Sequence, residues 1–293
     1  MYDIIIVGAG PAGLTAAIYA LRANKKVLVF EAKSYGGQIL NAHKVENYPG
    51  IDSISGFDLA TNMYNQVVNL GGEFIFETVI RINEDNKVIT NNGEYEAKAI
   101  ILAIGAENRK LNLDRETELV GKGVSYCATC DGNFFKNKDV AIVGGGNTAL
   151  EDAIYLADIV NKVYVIHRKD SFRAEEKYQK ELSEKNNVEY IMNANVTKLN
   201  GENILESIDL DNGRNIPISG LFIAVGQEPN NEVFNNVATI NERGYIVSSD
   251  GVHTNRDHIY VAGDAREKSL RQLVTAESDG AIAATIAIRE MER

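Results

Sequence analysis

Cysteine is scarce in this chain of 293 residues. There are two, Cys127 and Cys130, so no disulfide framework can staple distant parts of a fold. Histidine is sparse as well, and its four copies (His43, His167, His253 and His258) are scattered without the spacing of metal ligands. No apolar stretch approaches the roughly 18 residues that suggest a membrane span. No Pro/Ser-rich linker or low-complexity segment interrupts the chain. Surplus positive charge is missing too: a net charge of −11 and a pI of about 5.0 argue against a nucleic acid or an anionic membrane as a partner. The first apolar run begins at Asp3, which leaves no room for a cleavable signal segment, and a cytoplasmic location is the expectation.

With 44% hydrophobic residues the chain can bury substantial cores, and its length suits one large domain or two ordinary ones. A duplication favours two. The β-branched run Asp3 to Val7 leads into Gly8-Ala9-Gly10-Pro11-Ala12-Gly13 and then a breaker-free stretch, Leu14 to Arg22. The same order recurs at Asp139 to Val143, Gly144-Gly145-Gly146-Asn147-Thr148-Ala149, and Ala149 to Ala157. Each is strand, glycine turn, helix. Gly8 permits the tight turn, Gly10 lets a pyrophosphate approach the backbone, Gly13 allows close helix packing, and the helix N-terminus attracts the anion. Glycine turns also serve corners that bind nothing, so the context carries the reading. After the first copy the next apolar run, Val27 to Phe30, stops at Glu31; after the second, Val163 to Ile166 stops at His167, Arg168 and Lys169, in the same register. An acidic side chain there accepts hydrogen bonds from a ribose and repels a 2′-phosphate, whereas a basic cluster attracts one. Arg173 extends that cluster, and planar guanidinium groups suit phosphate, so the second site is expected to prefer NADPH to NADH. A solvated basic edge is the plainer alternative, since Glu175 and Glu176 follow directly.

Ala99 to Ala103 and Gly220 to Val225 read as the returning strands of the two units. A further strand, His258 to Ala262, ends at Gly263-Asp264. If it rejoins the first sheet, the second unit is an insertion in the first, with crossings near Leu113 to Glu116 and Glu242 to Gly244. The boundaries then fall at 1–113, 114–242 and 243–293. Between the fingerprints lies Cys127-Ala128-Thr129-Cys130. As a zinc half-site it would need two further ligands, and as two inert thiols its spacing would be coincidence. A redox pair fits, because a C-x-x-C lowers one thiol's pKa and the thiolate is the attacking species. By itself Asp131 before a glycine is a turn former, Asp264 a helix cap, and Arg271-Gln272 a polar helix face.

Taken together these residues resemble the low-molecular-weight, FAD- and NADPH-dependent thioredoxin reductases, over essentially the whole chain. The likeness rests on the two fingerprints, Gly36-Gly37-Gln38, Val45 to Gly50 (VENYPG), Cys127 to Gly132 (CATCDG), His167-Arg168-Lys169 with Phe172-Arg173-Ala174, Gly263-Asp264 and Arg271-Gln272. It implies two Rossmann-like dinucleotide-binding domains, the NADPH domain inserted in the FAD domain. It also implies that Gly8, Gly10, Pro11, Ala12, Gly13, Glu31, Gly37, Gln38, Asn47, Gly263, Asp264, Arg271 and Gln272 hold FAD. Gly144, Gly146, Asn147, Thr148, His167, Arg168, Lys169 and Arg173 would surround NADPH. Three positions depart from the pattern: Lys169 stands where a second arginine is usual, Ile104 replaces a threonine, and Ser278 replaces a common glycine.

What the resemblance implies about chemistry is a relay of reducing equivalents from NADPH through FAD and the Cys127–Cys130 pair to the disulfide of thioredoxin or a thioredoxin-like protein. In it Cys130 is the flavin-facing thiol, Cys127 the attacking one, and Asp131 the acid that manages the proton. A homodimer and a rotation of the NADPH domain are implied as well. The rival reading is a ferredoxin-dependent flavin thioredoxin reductase, whose kind lacks the basic cluster after the second fingerprint. A nucleotide-sensing protein without turnover is the alternative from another class.

Overall fold

The computed structural model describes residues 1–42, 44–248 and 251–292, so His43 lies outside the described residues. The chain forms two compact units, one made of Met1–Glu107 and Glu228–Arg293, the other of Asn108–Gln227. The second is therefore an insertion in the first.

In the outer unit the parallel strands run in the order Glu73–Ile75, Val27–Phe30, Tyr2–Val7, Glu94–Leu102, with Ile259–Val261 parallel to the last. The early half of Glu94–Leu102 also carries an antiparallel pair, Val79–Ile82 and Lys87–Thr90. The first strand reads as an unbroken apolar run because both of its faces are covered. Ile4 and Ile6 pack with the helices on one side; Ile5 and Val7 pack with Phe234, Val237 and Ile246 on the other. The helix Pro11–Arg22 lies against the final helix Leu273–Met291 through Ala16, Ala17 and Ala20 on one and Ala283, Ala284 and Ala287 on the other, all fully buried. Alanine allows a close approach, and at one point only glycine does: a Cβ on Gly280 would lie 2.1 Å from the Ala12 carbonyl oxygen.

The inserted unit repeats the plan. Its five parallel strands run Val188–Met192, Lys162–His167, Asp139–Gly144, Gly220–Ala224, Val124–Ser125. The helix Asn147–Ala157 covers one face, and a three-stranded antiparallel sheet, Val196–Asn200, Ser207–Leu210 and Asn215–Pro217, covers the other. Each unit thus has its fingerprint strand in the centre and a short fifth strand at the same edge. That fifth strand comes from after the unit's core in the outer unit and from before it in the inserted one.

The crossings lie earlier than the expected 113/114 and 242/243, at Glu107/Asn108 and Gln227/Glu228. Packing accounts for the difference. Leu111 and Leu113 already pack on the core of the inserted unit. Beyond the second crossing, fully buried Asn231 donates from Nδ2 to the carbonyl oxygens of Gly244 and Ala265, which ties residues 228–244 to the outer unit. The two crossing segments, Glu107–Asn108 and Gln227–Glu228, pair as a two-stranded ladder. Among the described residues no helix is long and apolar enough to cross a membrane, and no group of three His, Cys, Asp or Glu side chains is placed to hold a metal ion.

Candidate functional site

The residues singled out in the outer unit gather at the carboxyl end of its parallel sheet, the edge where open α/β sheets bind ligands. Gly8 has φ +107°, and a Cβ there would lie 2.4 Å from the Ala103 carbonyl oxygen. A Cβ on Gly13 would lie 1.9 Å from the carbonyl oxygen of Gly8, so the helix can begin against its own turn only without a side chain. Gly10 differs. It caps the helix ahead of Pro11, and the space beside it is open, so an anion can reach the N–H groups of the first turn. Glu31 closes the far side. Its carboxylate accepts from the Ala9 N–H at 2.9 Å and the Lys33 N–H at 2.8 Å. The Gly36 N–H donates to the Ala9 carbonyl at 2.7 Å, and Gly37, at φ +57°, brings the turn before Gln38 close to Gly10.

The late part of the chain completes this cluster. Gly263 follows the fifth strand and packs on Ala12, and its N–H donates to Asp279 at 3.1 Å. Burial opposes the charge on Asp279, but hydrogen bonds from Arg266 and Lys268 outweigh it and hold the carboxyl below the usual range. Asp264 is the reverse case: burial pushes its carboxyl up, Lys268 is 3.6 Å away, and its buried Oδ1 has no hydrogen-bond partner. The Arg271 guanidinium lies 4.1 Å over the Tyr245 ring, with its Nε buried and unpartnered. Asn47 donates from Nδ2 to Gln272 Oε1 at 3.1 Å, and Gln272 caps the final helix with Thr275. An orphaned buried acceptor, an orphaned buried donor and an open helix N-terminus fit a ligand that bears both hydroxyls and a pyrophosphate, as FAD does.

In the inserted unit Gly144 lacks the side chain that would collide with the Ala149 methyl, which would lie 2.5 Å from a Cβ there. This is how alanine is tolerated at the third fingerprint position. Gly146 caps the helix Asn147–Ala157 beside open space. His167 is not on an open edge: it is 5% exposed, and its ring lies where a Cβ on Gly145 would be, 2.2 Å away. Burial first, then the charges of Arg173 and Arg168, hold its pKa below the usual value. The Asn147 amide exchanges hydrogen bonds with Glu175, at 2.7 and 2.9 Å, so the acidic residue that spoke for a plain solvated edge grips a fingerprint side chain. Thr148, Arg168, Lys169 and Arg173 are exposed, and the three cations make no ion pair among the described residues.

The cysteines stand at the same end of that sheet. Val124–Ser125 runs parallel to Gly220–Ala224, so the chain leaves it toward the side on which Gly144 ends its strand. Cys127 and Cys130 are joined as a disulfide, with Cα atoms 5.3 Å apart, and Cys127 Sγ accepts from the Cys130 N–H at 3.2 Å across a single helical turn, Ala128–Asp131. Ser125, 3% exposed, donates to Asp131 Oδ2 at 2.6 Å, and its Oγ accepts the Cys127 N–H at 3.1 Å. Sequence reasoning passed over Ser125 and Asp279, because a serine or an aspartate without a motif gives no signal of what it will touch.

A family model described as pyridine nucleotide-disulphide oxidoreductase matches residues 2–280. The chain belongs to this family. Within it, the chain is 42% identical over 293 residues to the thioredoxin reductase of Bacillus subtilis (strain 168), covering 97% of this chain and 93% of that protein. The crystal structure of thioredoxin reductase from Streptococcus pyogenes MGAS5005 superposes with a TM-score of 0.94 at 39% identity, covering 100% of this chain and 98% of that one. Thioredoxin reductase from Giardia duodenalis gives 0.93 at 34%, covering 100% and 99%. The family's flavoprotein chemistry accords with two dinucleotide folds and one dithiol in a single chain.

Proposed function

We propose that this protein is an NADPH-dependent thioredoxin-disulfide reductase. One observation carries the reading: the disulfide and the exposed basic cluster lie at the same end of one sheet, in a unit inserted within a second dinucleotide fold. FAD, when bound, passes two electrons from NADPH to the disulfide. Gly8, Gly10, Pro11, Ala12, Gly13, Glu31, Gly37, Gln38, Asn47, Gly263, Asp264, Arg271 and Gln272 would hold it. Gly144, Gly146, Asn147 and Thr148 form the NADPH turn, Arg168, Lys169 and Arg173 grip the 2′-phosphate, and His167 supports that turn from beneath Gly145.

In the reduced dithiol the Cys127 thiolate attacks one sulfur of the partner disulfide, and the other partner sulfur leaves with the bonding pair and takes a proton. Cys130 then attacks Cys127 in the mixed disulfide, which restores the Cys127–Cys130 bond and releases the partner as a dithiol. Asp131, held by Ser125, is the acid that supplies and recovers protons. The partner is thioredoxin or a thioredoxin-like protein, and the working form is a cytoplasmic homodimer. A ferredoxin-dependent flavin thioredoxin reductase would not need Arg168, Lys169 and Arg173. The test is NADPH oxidation at steady state with thioredoxin present. Activity with reduced ferredoxin and none with NADPH would promote the rival.

The purified protein is expected to be yellow, with one FAD per chain. Asp264→Ala is expected to weaken FAD binding at least tenfold, since a hydrogen bond to a charged group contributes about 1.5–3 kcal/mol. The apoprotein of this variant should melt close to the wild type, because removing a buried oxygen without a hydrogen bond offsets the loss of the ion pair with Lys268, which keeps Asp279. Reconstitution titrations with FAD and thermal melts of both apoproteins check this; undiminished FAD affinity would remove Asp264 from the site.

A further inference from the structure

We propose that Glu116 is a positioning residue for the dithiol, acting through Tyr126. Glu116 is 2% exposed, and its carboxylate accepts three hydrogen bonds: the Leu111 N–H at 3.1 Å, the Leu113 N–H at 3.2 Å and the Tyr126 hydroxyl at 2.6 Å. Leu111 and Leu113 belong to the segment by which the chain comes into the inserted unit, a few residues past the crossing at Asn108. Tyr126 immediately precedes Cys127. Burial first, then the hydrogen bond and the negative charge of Glu116, raise the Tyr126 phenol, so it stays a donor throughout the physiological range.

Ser125 ends the strand Val124–Ser125, and Tyr126 stands in the bend between that strand and the helical turn of the cysteines. Ser125 holds the far end of the CATC turn through Asp131; Tyr126 holds the near end to Glu116. The backbone that delivers Cys127 is thereby held at the two residues that precede it. On the Glu116 side the grip reaches the segment leading in from the crossing, so that segment and the dithiol form one body.

A fixed Cys127 keeps the two sulfurs within reach of each other, which raises their effective concentration and favours the disulfide. Loosening the grip favours the dithiol. This inference rests on the redox reading of the CATC pair, and the wild-type control separates the two. In glutathione buffer the Cys127–Cys130 bond breaks, two glutathione thiols give up two electrons and two protons to the cysteine sulfurs, and glutathione disulfide forms. The anaerobic holoenzyme is equilibrated in such buffers, and trapped thiols are counted by mass spectrometry.

Tyr126→Phe retains both backbone hydrogen bonds to Glu116 and cuts only the link to the dithiol. We expect it to shift the equilibrium about threefold toward the dithiol, about 14 mV for a two-electron couple. Glu116→Gln should shift it about tenfold, about 30 mV. Adding Tyr126→Phe to Glu116→Gln should add little, as for residues on one path. NADPH reduction of ferricyanide, which needs no dithiol, should be unchanged in Tyr126→Phe, with kcat for thioredoxin lowered and KM for NADPH retained. A folded Tyr126→Phe protein with the wild-type glutathione equilibrium would overturn the proposal, as would a parallel loss of ferricyanide reduction. A wild-type pair that fails to exchange with glutathione and does not support thioredoxin turnover would instead overturn the functional reading.

Discussion

Cys127→Ser and Cys130→Ser are each expected to reduce thioredoxin turnover to the background without enzyme, while NADPH still bleaches the bound FAD. The two variants should differ from each other in two ways. If Cys130 is the flavin-facing thiol, as the family resemblance implies, Cys127→Ser leaves a lone thiol there that, once deprotonated, gives a long-wavelength charge-transfer band in the oxidised enzyme. Cys130→Ser lacks the band and leaves Cys127 able to attack, so it should accumulate a stable mixed disulfide with thioredoxin that the wild type resolves. At position 127 a serine oxygen can still accept the Cys130 N–H that Cys127 Sγ accepts, so the turn is expected to persist in Cys127→Ser. Absorption spectra and non-reducing electrophoresis read the outcome. A band that follows Cys127 and a trap that follows Cys130 would reverse the roles, and full turnover in either variant would exclude the pair as the relay.

The second large effect concerns donor choice. Changing Arg168 and Arg173 together to Ala is expected to lower kcat/KM for NADPH at least tenfold and to leave that for NADH nearly unchanged. Each charge-assisted hydrogen bond contributes about 1.5–3 kcal/mol, and neighbouring losses add incompletely. Both side chains are exposed and make no ion pair among the described residues, so their removal should change stability by no more than about 0.5 kcal/mol. The two effects therefore separate cleanly in steady-state kinetics and a thermal melt. Equal losses with both donors would mark the cluster as structural.

Much of this architecture was legible in the sequence, for a physical reason. Strands buried on both faces must be apolar throughout, and a phosphate turn must be glycine, so Asp3 to Gly13 and Asp139 to Ala149 announce themselves. The expected return of the strand at His258 to Ala262 is met by Ile259–Val261 beside Glu94–Leu102. The crossings were harder to read. They are set by contacts such as those of Leu111 and Asn231, which carry no local pattern. The same limit hid the work of Glu175, Ser125 and Glu116. A single polar residue states its type but not its partner, and all three find partners across turns or between strands. His167 was legible as part of a basic run, yet its burial under Gly145 depends on packing that composition does not encode.

The edge strand of each sheet has a consequence for the order of synthesis. The inserted unit receives Val124–Ser125 before its other strands, so everything its sheet needs is present once Gln227 has been made. The outer unit must wait. Its Glu94–Leu102 strand lacks Ile259–Val261 along one side until residue 261 has been made, and its glycine-turn helix lacks the Ala/Gly face of Leu273–Met291 until residue 291 has. At roughly 5–20 residues per second, several seconds separate completion of the two units on the ribosome. During that interval an apolar sheet edge stands open on the nascent chain beside an inserted unit that already has its full set of strands.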